Sequence, residues 1–490
     1  MLASIVGVVF FPASWKWVVT IFLGYMICYT ATYFVFGLIG EYKRRRAERV
    51  DWTAGEDVAG PFGFAPADVR HAVIVPNYKE PDDVLERTVA ALAAQHRASE
   101  RIVLVLAMEE RESGAYAKGE ALAKRYRDAF LRVVVSVHPA DVPGELACKA
   151  ANQTYATIGV RKLMVEELGI PLDHITVSTC DADSVFHPKY FSALSQMFAH
   201  DARRHSRIWQ APLFYYNNIW KVPAPIRYTA WFIHAGQLAE LAMPFYEGLP
   251  ISTYTLSMKL TEETQYWDPA VISEDWHVYL GVMFARDGDV SVAPIFLPTY
   301  SDSTDGPTPW QAIVNRYFQV MRHSFGAEDV GFLFRTILDE KRIPRAITAF
   351  RAVQVLHDHT MRVAAWFMVI SAYILDFGAV RTAMASTVYS TVVIPTEPLH
   401  AILGWFFYIG IGIIATSVAV ELVRNPKPGN WAFGRLAIEV VVLWVCLPVM
   451  GFVLGVAPAI HAQTKLMFKH PLAWRVTPKA LVDGVVPEAA

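Results

Sequence analysis

The stretch Cys180-Asp181-Ala182-Asp183 places two carboxylates at i and i+2, directly after residues 175–179, which read as a strand. Acids set this way at a strand end can hold a hard divalent cation, Mg²⁺ or Mn²⁺, which takes oxygen ligands and bridges phosphate oxygens. Such an ion offsets the charge that gathers on a departing diphosphate. Two solvated loop aspartates are the alternative for this pair taken alone. Ile272-Ser273-Glu274-Asp275-Trp276 adds a second pair of acids, beside a tryptophan. A carboxylate here can take the proton from a hydroxyl, a weak nucleophile until deprotonated. The same residues read as a helix start, with Ser273 as cap and acids in the first turn. Both readings hold together, since a cap also orients a base. In Gln319-Val320-Met321-Arg322-His323, Gln319 and Arg322 share a helix face. Arg322 can grip a pyrophosphate through bidentate contacts, although an ordinary surface arginine is the simpler reading of that motif alone.

The elements that must carry these groups alternate. Short β-rich runs at 71–76, 101–108, 131–137 and 175–180 are separated by helical patterns such as 81–96 and 114–130. This alternation predicts an α/β domain over 52–340 with a largely parallel sheet. Ligands of such sheets sit at the carboxyl ends of the strands, where the first acid pair falls.

The flanks are of another kind. Residues 18–39 contain no charge and are long enough to cross a bilayer. They end at Glu41-Tyr42-Lys43-Arg44-Arg45-Arg46, which the positive-inside rule keeps in the cytosol. A cleaved leader is the rival reading, but its basic residues would precede the apolar run. The expected organisation is an N-terminal anchor at 1–41, a cytosolic domain at 52–340 and an interfacial amphipathic helix at 341–362. A transmembrane region at 363–462 and a tail at 463–490 follow. The apolar runs of that region are 363–380, 401–420 and 436–460. Three full spans would leave the tail outside, whereas Lys465, Lys469, Arg475 and Lys479 argue for the cytosol. The last run carries Pro448, Gly451, Gly455 and Pro458, so a broken or re-entrant segment is the other possibility.

Composition agrees with a soluble domain on membrane segments. The 490 residues are 54% hydrophobic and 18% charged, against roughly 45–50% and about 25% for ordinary globular chains. A net charge of -2 points away from nucleic acid. Cys28, Cys148, Cys180 and Cys446 form no CxxC pair, as suits reduced thiols in a cytosolic domain. His357-Asp358-His359 looks like a metal cluster, but residues at i and i+2 do not share a helix face. Gly410-Ile411-Gly412 reads as helix packing. Asp376 and Glu439 lie within apolar runs, where ionisable residues are functional by default.

Taken together, the motifs resemble those of the family-2 membrane glycosyltransferases, which include cellulose, chitin and hyaluronan synthases and ceramide glucosyltransferase. Val75-Pro76-Asn77-Tyr78-Lys79-Glu80 is similar to the opening loop that contacts the nucleotide, giving Pro76, Asn77, Tyr78 and Glu80. Glu109-Glu110 sits where these enzymes carry an Asp-Asp turn near the uracil. Cys148-Lys149-Ala150-Ala151-Asn152 is similar to the stretch whose lysine faces the nucleotide. Asp181 and Asp183 match the donor and metal aspartates, and Glu274-Asp275 matches the motif whose final Asp is the base. Gln319 and Arg322 match Q-x-x-R-W, with His323 in place of the tryptophan. Trp474-Arg475-Val476-Thr477-Pro478-Lys479 resembles a gating loop that closes over the donor, with Thr477 and Lys479 at its tip.

The resemblance covers about residues 70–330. It implies a GT-A (Rossmann-like) fold, inverting transfer from a UDP-sugar, Mg²⁺ or Mn²⁺, and a glycan or lipid acceptor. The plasma (inner) membrane is the implied location. Polysaccharide synthesis is the leading expectation. Transfer of one sugar to a lipid is the second, and a catalytically inactive membrane scaffold the third.

Overall fold

A computed structural model of the chain describes residues 2–244, 248–339, 342–387, 398–425, 441, 446 and 449–469. Thr477, Lys479, the rest of the loop-like tail, most of the 423–435 loop and Glu439 lie outside the described residues.

A long N-terminal helix, α1 (Pro12–Arg49), leads into the sheet. Its strands are β1 (Arg70–Pro76), β2 (Ile102–Glu109), β3 (Arg132–His138), β4 (Ile175–Thr179), β6 (Arg207–Gln210), β8 (Tyr254–Ser257) and β9 (Ser291–Pro294). A smaller sheet joins β5 (Val185–Phe186), β7 (Leu213–Phe214) and β10 (Thr299–Tyr300). The spatial order of the main sheet is β3-β2-β1-β4-β8-β6-β9. β3, β2, β1 and β4 are parallel neighbours, and β8 runs antiparallel to β4 and β6. All residues of β2 and β4 are buried, as expected for Val, Ile and Leu runs covered on both faces.

Register decides where the site lies. His71 of β1 stands opposite Ile102 of β2 and Thr176 of β4. The chain therefore leaves all three strands on one edge, at Asn77, Glu109 and Cys180-Asp181. The Asn77 N–H bonds to the Ala107 carbonyl at 2.8 Å and extends the ladder to that edge. Of the helices that cover this sheet and flank it, those that bear on the site are α2 (Lys149–Lys162), α3 (Ala224–Ala242), α4 (Glu274–Ala285), α5 (Pro309–Ser324) and α6 (Glu328–Asp339). This is a mixed α/β GT-A arrangement.

After the domain come α7 (Arg345–Thr387), α8 (Pro398–Arg424) and α9 (Ala457–Met467). Among the described residues, α1 and α8 are long and apolar enough to cross a bilayer. Only 11% and 6% of their apolar windows are buried within the chain, which sets them apart from soluble core helices. The amphipathic stretch expected to lie alone in the interface is the first part of α7. That helix runs on for 43 residues, because no Pro or Gly falls between 345 and 377 to stop it. Val19 and Leu23 of α1, Met368 and Ala372 of α7, and Leu399 and Leu403 of α8 form a common apolar cluster.

Two further contacts tie this bundle to the domain. α1 lies close against α3, where a Cβ at Gly40 would collide with the Leu238 carbonyl. At the end of α8, Arg424 pairs with Glu41 at 2.9 Å, and Glu421 accepts the Tyr216 hydroxyl at 2.6 Å. A π-turn at Phe452–Val456 precedes α9, so the described part of the last apolar run stays helical. Wider bonding there accommodates Pro458, which has no N–H to give. α9 packs on α5, with Met321, Phe325 and Ala462 in one cluster and Tyr317 Oη 3.2 Å from His461 Nδ1.

Candidate active site

At the carboxyl edge of β1, β2 and β4 the chain encloses a cleft of about 360 Å³. It is lined by Pro76, Asn77, Tyr78, Glu80, Glu109, Lys149, Asp181, Asp183, Glu274, Asp275, Gln319 and Arg322. Every candidate residue within the described part of the chain thus meets at one place, although these span nearly 250 positions of sequence.

The loop after β1 is organised by Glu80. Its carboxylate accepts the Tyr78 N–H at 2.7 Å and the Asn77 side-chain amide at 3.1 Å. Lys79 between them takes a left-handed conformation, φ 67°. The Tyr78 ring lies 4.4 Å from the Arg111 guanidinium, which also pairs with Glu109. Glu109, at the end of β2, is thereby buried with its charge answered.

Lys149 opens α2 and reaches across the floor of the cleft. Its ammonium donates to Asp181 Oδ1 at 2.9 Å and lies 3.1 Å from Glu274 Oε1. Burial by itself would lower its pKa, but Asp181, Glu274 and Asp275 raise it well above the usual value, so it stays charged. The lysine that the resemblance turns toward the nucleotide here also links the two acidic motifs.

Ser252 was not legible from the sequence. Its backbone is left-handed, φ 54°, which aims three groups into the site. Its hydroxyl donates to Asp181 Oδ2 at 2.7 Å, its N–H to Asp275 Oδ2 at 2.9 Å, and its carbonyl accepts from Lys149 at 3.2 Å. A serine in Pro-Ile-Ser-Thr carries no pattern that foretells this bridge. Asp302 was missed as well: its N–H donates to Asp183 Oδ2 at 2.8 Å and its carboxylate pairs with Arg87 at 2.6 Å.

The second acid pair occupies the first turn of α4, as its spacing suggests. Ser273 stands at the cap position, but its hydroxyl makes no cap bond. α6 begins close to this helix start, and burial first and Asp329 second raise the pKa of its Glu328. Asp275 is held on one oxygen only. Oδ1 is buried and has no hydrogen-bond partner among the described residues. Burial first and the neighbouring Glu274 second raise its pKa above the carboxylate range, with Lys149 offsetting part of this.

Gln319 on α5 accepts from Thr304 Oγ1 and from Arg316, both at 2.5 Å, and is fixed facing the cleft beside Arg322. His323, in the place of the tryptophan, also lines it. Burial and the neighbouring Arg322 and Arg316 bring its pKa down to about 3, so the imidazole is neutral.

The triplet on α7 divides as helix geometry requires. His357 turns to the Tyr25 hydroxyl of α1 at 2.5 Å, while Asp358 and His359 line the cleft. The His359 ring sits 5.0 Å from Trp276, and its carbonyl accepts from Gln463 of α9 at 2.8 Å. Asp376 meets His400 of α8 at 3.1 Å, away from the cleft.

The donor set suits a hard cation, since Asp181 and Asp183 offer carboxylate oxygens alone at the cleft floor. Among the described residues no three His, Cys, Asp or Glu side chains converge as a complete cage. An ion here would use one or two carboxylates and fill its shell with phosphate oxygens and water, the usual habit of Mg²⁺.

Residues 67–290 match the family model described as glycosyltransferase-like family 2. The strands and most of the loops that line the cleft thus lie within the part of the chain that is similar to this family, and a nucleotide-sugar donor is the chemistry that the similarity supports. Solved structures similar to the chain include a Pyrobaculum calidifontis mannosyltransferase, PcManGT, in complex with GDP-Man and Mn²⁺. It is 15% identical, with coverage of 93% of this chain and 99% of that one and a TM-score of 0.43. S. aureus TarS is 12% identical over 60% of this chain and 44% of its own, TM-score 0.34. GalNAc-T7 with UDP, GalNAc and Mn²⁺ is 11% identical over 52% and 51%, TM-score 0.30. No curated protein matches the chain significantly.

Proposed function

We propose that this protein is a membrane-embedded, metal-assisted, inverting hexosyltransferase that uses a UDP-sugar at the cytosolic face of the plasma membrane. The observation that carries this reading is Asp275: one oxygen held by Ser252, the other buried and unpartnered among the described residues, in a cleft it shares with Asp181 and Asp183.

In this reading Asp181 and Asp183 hold the Mg²⁺ or Mn²⁺ ion. Bound there, the ion supplies Lewis-acid neutralisation of the leaving diphosphate. The loop Pro76–Glu80 and Glu109 contact the nucleotide. Lys149 keeps Asp181 and Glu274 in register through its two contacts. Asp275 Oδ1 takes the proton of the acceptor hydroxyl as it attacks. Gln319 and Arg322 line the other side and attract the diphosphate. Thr477 and Lys479 would complete the donor side from the tail.

The product in the leading reading is a polysaccharide. A second reading, transfer of one sugar to a lipid-borne acceptor, is favoured by the origin of one cleft wall: His359 and Arg362 come from α7, which runs on into an apolar stretch.

The test is a nucleotide-sugar screen on the purified full chain, followed by sizing of the product. Transfer should vanish with excess chelator and return with Mn²⁺ or Mg²⁺, and Asp183→Ala should abolish it. Full activity in chelator would reject the metal-assisted reading, and a long glycan against a single-sugar lipid separates the two products.

A further inference from the structure

Arg362 is the last charged residue of α7 before an apolar stretch that runs from Val363 to Leu375. It lines the cleft on the side of Trp276 and His359, and it is open to the cleft interior. Among the described residues no hydrogen bond or ion pair links its guanidinium to another side chain; Asp358 is the carboxylate whose charge it feels. Arg316 adds positive charge nearby, since it senses the field of Arg362, as does the neutral His323. Gly455, in the turn before α9, passes beside its side chain, where an added Cβ would stand 3.8 Å from Cδ.

Asp358, one turn earlier on α7, is the acid on this side of the cleft, and the other acids belong to the floor. Asp181, Asp183 and Glu274 are engaged by Ser252, Asp302 and Lys149. A guanidinium set apart from those floor acids, facing an open cleft, has its donors available to an anion. Arginine suits phosphate well, because its donors match two oxygens at once. The position along α7 says where that phosphate comes from. A group bound at Arg362 stands where a helix leaves the domain for an apolar stretch, so an alkyl chain attached to it can follow the helix away.

We infer that Arg362 is an acceptor subsite for the phosphate group of a membrane lipid, which brings the lipid's hydroxyl or attached sugar toward Asp275. The inference rests on the single-sugar, lipid-acceptor reading above and names the chemical class of that acceptor. The phosphate is held and does not react; the bond formed is from an acceptor hydroxyl, whose proton goes to Asp275.

The experiment uses the full chain in phosphatidylcholine nanodiscs, titrated by calorimetry with hexyl phosphate, hexanol and inorganic phosphate. Hexyl phosphate should bind roughly tenfold more tightly than either of the others, the scale of one charge-assisted contact. Arg362→Gln should erase that preference and leave affinity for UDP with Mn²⁺ unchanged, which also shows that the variant is folded. Arg362→Lys should keep part of it. A preference that survives Arg362→Gln overturns the proposal. Inorganic phosphate binding as tightly as hexyl phosphate overturns the lipid assignment. Displacement of hexyl phosphate by UDP with Mn²⁺ overturns it too, because the cation would then serve the donor. If hexyl phosphate binds as expected but no nucleotide sugar binds or turns over, the subsite stands and the transferase reading fails.

Discussion

The floor of the cleft takes its side chains from strand ends and helix starts of the α/β domain, whereas the wall beside it takes them from the faces of α7 and α9. The floor is acidic and cross-linked: Lys149 and Ser252 join Asp181 to the Glu274–Asp275 pair through four contacts between 2.7 and 3.2 Å. The wall is basic and more sparsely tied, with Gln463 donating to the His359 carbonyl and Trp276 against the His359 ring. A site that must neutralise a diphosphate and take up a proton needs its acids fixed to a fraction of an ångström, which a sheet edge provides. A wall that meets a second substrate at a membrane needs reach and complementary charge more than rigidity. The difference teaches that the cleft is a seam between a sheet-based scaffold and a helical one, and the proposed transfer would run along it.

Replacement of Asp275 attacks the floor most directly. Asp275→Asn keeps the shape and removes the proton acceptor, so turnover should fall by roughly 10²–10⁴-fold while nucleotide binding survives. The same substitution should stabilise the fold. A carboxyl whose pKa is raised by folding gives full stability below its unfolded value and loses it as pH rises through the folded value. The amide escapes that loss, so its advantage in melting temperature should grow from about pH 4 upward. Normal turnover in Asp275→Asn with a dead Glu274→Gln would exchange their roles. The wild-type rate should also fail on the acid side at a pH above that of an ordinary aspartate.

Ser252→Ala removes the hydroxyl on Asp181 and leaves the N–H on Asp275. We expect a loss of about tenfold, read mainly as weaker donor and metal affinity. An equal loss in kcat alone would place Ser252 with the base. Gly40→Leu probes the seam from the other side. Crowding α1 against the Leu238 carbonyl should cost about 1–3 kcal/mol of stability, with donor affinity of the folded fraction unchanged. A thermal melt and a nucleotide titration separate the two. The smallest effect is expected at His323. Its imidazole is already neutral across the working range, so His323→Gln should leave the shape of the pH–rate profile as it was.

The parts of this molecule that the sequence discloses are local. The strands at 71–76 and 175–180 announce themselves by unbroken β-branched runs, and Asp181 and Asp183 follow one of them directly. The parts it conceals depend on chain segments far apart. Ser252 acts through its backbone conformation, which no side-chain pattern records. Asp302 reaches Asp183 across more than a hundred residues. Arg362 ends the 341–362 stretch without any motif around it, and the packing of α7 against the turn before α9 sets it beside the cleft. The local reading gave the Ser273 hydroxyl to the start of α4 as a cap, and that hydroxyl makes no cap bond.

The anchoring of α8 and α9 has a consequence in parity. Arg424, at the end of α8, is held by Glu41 beside the domain, and α9 lies on α5 of that same domain. Both ends of the intervening chain are thus moored on one shore. In a membrane-embedded protein, any crossings made between Arg424 and Ala457 come in pairs. The chain that leaves α9 at Met467 then sets out from the side of the sheet, whichever way the apolar run at 436–460 is counted.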